Sequence, residues 1–194
     1  MKIFYQRFLL YTTLPFVLFG CRSDNLTGTE GLAATFFPLH VGNTWVYTHM
    51  GSTATITYQV YAKKVIGTHL YYQFGSSQEY ADWLRIDGGK VYRLENNTDV
   101  LWLDFNRQDG DQYNYPQENT SQLGGYVVTV RRDQIKEYEL EQKYKYTDCV
   151  NFFFDIPQAV DDEHGYIFAP GIGIVNFYGA WVNLYLESWS IAEE

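Results

Sequence analysis

Short segments that alternate apolar and polar residues, separated by turns that glycine often marks, run from Thr44 to Ser190. Successive side chains of a strand point to opposite faces, so period-two alternation marks strands with one buried face. The first half carries it in Thr44–His49, Thr55–Ala62, Leu70–Phe74, Asp82–Asp87, Lys90–Leu94 and Val100–Phe105. The second half carries it in Tyr126–Arg131, Lys136–Tyr146, Cys149–Asp155, Gly165–Ala169, Gly173–Tyr178 and Trp181–Ser190. Gly88-Gly89, between two of these segments, is a strong two-residue hairpin signal. Past residue 21 nothing sustains the i, i+3, i+4, i+7 stripe of a helix, and only Gln117–Gly124 and Pro157–Glu163 leave room for a helical turn. The pattern predicts an all-β fold. An antiparallel meander forming one strongly curved sheet or open barrel is expected, in preference to a two-sheet sandwich.

The first 21 residues are of a different kind. Lys2 and Arg7 make a basic start, Phe8 to Phe19 is an apolar run, and Gly20 precedes Cys21. A basic n-region, a short apolar h-region and a small residue at the cut describe an export signal too short to span a bilayer. With cysteine directly after the cut, the segment resembles a bacterial lipoprotein signal peptide and lipobox. The resemblance implies cleavage between Gly20 and Cys21, a palmitate-type acyl modification at Cys21, and attachment to the membrane through that lipid. Arg22, in place of aspartate after the cysteine, implies by the same resemblance an outer-membrane destination in the cell envelope. Residues 22–35 (RSDNLTGTEGLAAT) are polar and lack a periodic apolar face, which reads as a flexible tether. The expected organisation is therefore a signal peptide over 1–20, a lipidated N-terminus and tether over 21–35, and a single β domain over 36–194.

Cysteine and charge narrow the function classes. Cys21 and Cys149 are the only cysteines, so lipid at Cys21 leaves Cys149 without a partner. No histidine or basic cluster flanks Cys149, which reads as a buried structural thiol. Removal of residues 1–20 takes away Lys2 and Arg7 and no acid, moving the formal net charge from −9 to −11. Such acidity argues against nucleic acid as a partner and against electrostatic docking on anionic lipid.

Two motifs lie at the ends of the domain. Phe37-Pro38-Leu39-His40-Val41-Gly42-Asn43-Thr44-Trp45-Val46-Tyr47 and Ala169-Pro170-Gly171-Ile172-Gly173-Ile174-Val175 resemble the FPLxVGNxWxY opening and the APGIGIV segment of small exported bacterial lipoproteins, many of them Bacteroidota-like. The resemblance implies an envelope location and the β fold, and no particular activity. Physically, Pro38 ends the tether, Gly42-Asn43 supplies turn chemistry and Trp45 anchors the first strand. The glycines of Pro170-Gly171-Ile172-Gly173 permit a sharp bend or bulge. A phosphate loop would need a helix to follow, and a strand follows instead.

Candidate chemistry is sparse. Asp104 to Asp111 (DFNRQDGD) offers oxygen ligands, but the calcium-loop template wants glycine sixth and glutamate twelfth, where Asp109 and Tyr115 stand. A solvated Asp-Gly turn is the favoured reading. Asp161-Asp162-Glu163-His164 is a second acidic cluster, and His40, His49, His69 and His164 show no zinc spacing. No metal, cofactor or catalytic residue is assigned, and no enzyme is expected.

The compositional outlier is aromatic, with 18 Tyr, 13 Phe and 5 Trp. These residues suit the faces of a sheet and equally the wall of a groove. The expected function is a lipid-anchored envelope protein with a non-catalytic binding or accessory role, docking an envelope protein. The alternative is a carrier or binding module for an apolar ligand or a glycan on an aromatic concave face; a small hydrolase is the third reading. Trp45, Trp83, Trp102, Trp181 and Trp189 are the candidate reporters of such a face.

Overall fold

The computed structural model describes residues 31–116, 124–140 and 143–192. A short helix α1 (Leu32–Phe36) precedes β1 (Thr44–His49), β2 (Thr55–Ile66), β3 (His69–Gly75), β4 (Asp82–Asp87), β5 (Lys90–Glu95) and β6 (Thr98–Asp104). There follow β7 (Gln112–Tyr115), β8 (Tyr126–Arg131), β9 (Glu137–Leu140), β10 (Tyr144–Thr147), β11 (Val150–Asp155), β12 (His164–Ala169), β13 (Gly173–Gly179) and β14 (Asn183–Ser190).

Twelve strands make one antiparallel sheet in the order β6-β5-β4-β3-β2-β1-β14-β13-β12-β11-β8-β7. Its two outer strands are consecutive in the chain, so the meander curls round until β6 and β7 meet: an almost closed barrel, as the alternation predicts. Register shifts between β1 and β14, β2 and β3, β5 and β6, and β12 and β13 mark bulges, which bend strands and increase twist. At the β6/β7 seam side chains stand in for a backbone ladder. The Tyr113 hydroxyl donates to the Trp102 carbonyl at 2.7 Å, and the Tyr115 hydroxyl donates to the Glu95 carboxylate at 2.6 Å. Arg132 donates to the carbonyls of Phe105 and Arg107 just beyond.

Polarity runs apolar-in and polar-out. Val60, Leu84, Val91, Val128, Phe152 and Leu186 are fully buried, while Thr55, Thr57, Lys63 and Glu187 on the same strands are exposed. That is the reverse of a membrane-spanning barrel, whose apolar band faces outward.

One end of the barrel is sealed by α1 and the residues after it. Ala33 and Phe37 have no exposed surface, and Phe36 stacks on Phe105 at 5.0 Å. Here the sequence-based boundary is corrected. Residues 32–35 were expected to end the tether, yet they are helix and core, because Leu32-Ala33-Ala34-Thr35-Phe36 fills the barrel mouth with small residues and a ring. The helix is too short to form alone and its cap residue Gly31 has no side-chain bond. Tertiary bonds hold it: Ala33 N–H to Gly88 O, and Gly171 N–H to Thr35 O.

Both end motifs meet at this plug. The Trp45 indole N–H donates to the Ile172 carbonyl, and Gly173, at φ 110°, lies so close that a Cβ there would sit 2.8 Å from the Trp45 indole nitrogen. Buried Asn43 donates to Pro38 O and accepts from Ala192 N–H, both at 2.7 Å, tying the chain ends together. Gly88-Gly89 forms the expected hairpin, and a Cβ on Gly89 would collide with Asn106. Two details differ from the pattern reading. Lys136–Tyr146 is not one strand but the β9–β10 hairpin, whose Tyr144 and Tyr146 rings lie 5.9 and 6.5 Å from Trp189. Gln112–Tyr115, left unassigned by the alternation, is β7. Of the two possible helical turns, Pro157–Glu163 is turn and bend; Gln117 to Leu123 lie outside the described residues, as does Cys21.

Candidate functional site

Phe37 packs beneath Phe74 and Trp102, with ring centroids 5.0 and 6.3 Å away. Above those two rings the barrel is not filled. A cavity of about 160 Å³ occupies the end opposite the plug, with Phe74 and Trp102 as its floor and Tyr47, Tyr58, Tyr166 and Phe177 among its walls. Each wall residue comes from a different strand at a position facing inward. The Tyr47 hydroxyl donates to Ile174 O at 2.9 Å. Burial pushes the Tyr166 hydroxyl up to about 12 and raises Tyr58 as well, so these walls are neutral at ordinary pH. The volume is close to the roughly 150 Å³ that holds one benzene and below the ~300 Å³ of ordinary ligand pockets. It fits a ring-sized group; a long acyl chain would project from it.

Asp82 and Arg93 are the charged residues of the lining, and Arg93 is the less exposed of the two. On β5 it follows Val91 by two residues and so shares the inward face. Its guanidinium lies 4.8 Å from the Trp102 ring centroid, donates from Nη1 to the Tyr115 hydroxyl at 3.1 Å, and pairs through Nη2 with Asp82 at 3.3 Å. Its Nε–H is buried and has no acceptor. An unmet buried donor costs about 1–3 kcal/mol, and this one faces packed protein, while the side chain as a whole remains 20% exposed. Asp82 is half exposed at the mouth. Tyr80, Val160 and Trp181, exposed at 77%, 86% and 87%, sit on the β3–β4, β11–β12 and β13–β14 loops around the same end.

The site is legible only in hindsight. The signal was a lone arginine on the apolar parity of Lys90-Val91-Tyr92-Arg93, an ionic residue aimed at the core. Of the five tryptophans, only Trp102 reaches the cavity. Trp45 is wholly buried in the plug end, Trp83 lies under the Lys64 ammonium at 3.7 Å, Trp189 packs on the β9–β10 hairpin, and Trp181 is on the rim. Tyrosine is the commonest residue of the lining, at Tyr47, Tyr58, Tyr80 and Tyr166.

The other sequence candidates stay apart. In the Asp104–Asp111 turn, Asp104 accepts from Asn106 N–H and Arg107 Nε, Asp109 from Arg132 N–H, and Asp111 from Gln108 N–H. The carboxylates organise the turn, at the plug end, while Asp161–His164 lies at the open end. Among the described residues no group of three or more His, Cys, Asp or Glu converges as a metal site. Cys149 is buried, and burial pushes its thiol up to about 11, the setting of an inert structural cysteine.

His164 stacks on Phe154 at 4.8 Å and meets Tyr126 and Tyr166 edge-on. Burial lowers its pKa, and Arg93 adds to that against the opposing pull of Asp162. The unfolded chain takes up this proton near the ordinary value of about 6.5, whereas the folded chain resists it until lower pH. Stability from this residue is therefore complete above about pH 6.5 and is lost as pH falls towards the lower folded value. Urea midpoints measured from pH 7.5 to 4.5 should fall over that window, and His164→Phe should flatten the fall. An unchanged slope in the variant would refute the assignment.

No family model matches the chain, and no curated protein matches it. Among solved structures, a "putative lipoprotein" from Parabacteroides distasonis ATCC 8503 is similar at 14% identity and a TM-score of 0.39, over 80% of this chain and 99% of that one.

Proposed function

We propose that this chain is a lipid-anchored, non-catalytic binding module of the cell envelope whose open barrel end receives a ring-sized group. The observation that carries the reading is the cavity itself: the plug end of the barrel is packed solid, and about 160 Å³ at the other end is left unfilled beside the Arg93–Asp82 pair. Protein interiors are otherwise close-packed, and burying an arginine without full pairing is unfavourable for the fold alone. Lipid attachment rests on the Leu18-Phe19-Gly20-Cys21 segment, and the outer membrane on Arg22.

A binding role fits the chemistry of the site better than catalysis. Tyr115, between Glu95 and Arg93, is the nearest thing to an activated nucleophile, yet burial raises its pKa despite the opposing Arg93 charge. Cys149 is buried as an un-ionised thiol. His164 is wedged between rings, with Nδ1 towards the Asp162 carbonyl.

Trp102 is the reporter. Occupation of the cavity should shift its fluorescence, and Trp102→Phe should remove the shift while leaving the other four tryptophans emitting. A ligand that binds by calorimetry but gives the same fluorescence change in Trp102→Phe would place binding elsewhere.

A further inference from the structure

We infer that the group received by the cavity is one neutral sugar ring at the end of a glycan, read by Arg93 and Asp82 as a donor–acceptor pair. The inference rests on the reading of the open end as a ligand site and names its ligand. Three observations converge on it. The Arg93 side chain lines the cavity and is 20% exposed, so its guanidinium can donate to a ligand, and the Asp82 carboxylate beside it, half exposed, can accept. Adjacent hydroxyls of a sugar offer both at once, since each hydroxyl accepts and donates.

Charge disfavours an anion. Two carboxylates, Asp82 directly and Glu95 through Tyr115, already face the one guanidinium, in a chain of net charge −9. A ligand carboxylate would have to displace Asp82 and remain beside it. The size of the cavity and its aromatic walls suit a single ring whose C–H faces lie against Tyr47, Tyr58 or Phe177. A purely apolar ring would cover the charged Arg93–Asp82 pair without bonding to either. Exposed Tyr80 and Trp181 on the rim then offer flat faces for the next sugar units.

The test uses the full chain, titrated by calorimetry with methyl glycosides of glucose, galactose, mannose and N-acetylglucosamine, their short oligosaccharides, glucuronate, galacturonate and octanoate. At least one neutral glycoside should bind, and its oligosaccharide more tightly. Asp82→Asn and Arg93→Lys should each weaken it about tenfold or more, the scale of one hydrogen bond to a charged group. Asp82→Asn keeps a polar side chain of the same size at the half-exposed mouth, and its thermal midpoint, measured alongside, separates recognition from folding. Trp181→Ala should weaken the oligosaccharide more than the monosaccharide. Tighter binding of uronates than of neutral glycosides, rising further in Asp82→Asn, would overturn the neutral-sugar assignment and leave a binding module for anions. Binding of octanoate alone would likewise replace the sugar with an apolar ligand. Silence of the whole panel would overturn both this inference and the binding-module reading.

Discussion

Replacing Phe37 with alanine is expected to destabilise the barrel by about 3–5 kcal/mol, the range for deleting a fully buried ring. Phe37 has no exposed surface and its ring meets Phe74, Phe168, Trp45 and Trp102 at 5.0, 5.4, 6.2 and 6.3 Å. Edge-to-face pairs of this kind add to the loss of buried area. Those four neighbours are held by separate strands, so they cannot collapse together into the gap. At roughly 2–4 °C per kcal/mol for a domain of this size, the thermal midpoint should drop by roughly 6–20 °C. Because Phe37 supports the cavity floor, the Trp102 environment should change in the variant even below its melting temperature. Urea unfolding followed by tryptophan emission measures both. A loss under 1 kcal/mol with an unchanged Trp102 signal would mean that the plug is an accessory to the core.

The second large effect concerns attachment. Cys21→Ser is expected to abolish incorporation of labelled fatty acid and to leave uncleaved precursor in the membrane fraction, because the proposed lipoprotein reading makes Cys21 both the cleavage point and the anchor. A single chain gives marginal membrane binding and two or more give stable attachment. A serine variant that matures normally, or still takes up label, would remove the lipid from the account and leave the binding end untouched.

The barrel was legible because its strands obey one rule for most of their length. Where the rule had no purchase, the reading failed for identifiable reasons. Leu32–Phe36 is five residues long, without a side-chain cap or acidic first turn, so nothing local distinguishes it from linker; only its partners Gly88 and Gly171 make it helix. Gln112–Tyr115 is short and polar outside its two tyrosines, and it is a strand because those tyrosines close a seam. The reversal inside Lys136–Tyr146 carries no glycine or proline between residues 136 and 146. Arg93 and Asp82 are eleven positions apart in sequence, and their meeting depends on the β4–β5 register. Alternation reports which face a residue occupies and is silent about what lies across the barrel.

The pairing of β1 with β14 carries a consequence for how the chain reaches this state. Thr44 lies opposite Ser190, and Gly171 holds Thr35, so the contacts that complete the barrel span almost the whole domain. Such long-range pairing is slow, since loop closure must precede the contacts that reward it. No N-terminal fragment can complete the barrel, however long it waits. A chain that ends before Asn183 presents β1 and β13 as two unpaired edges, the surfaces on which strand exchange between copies begins.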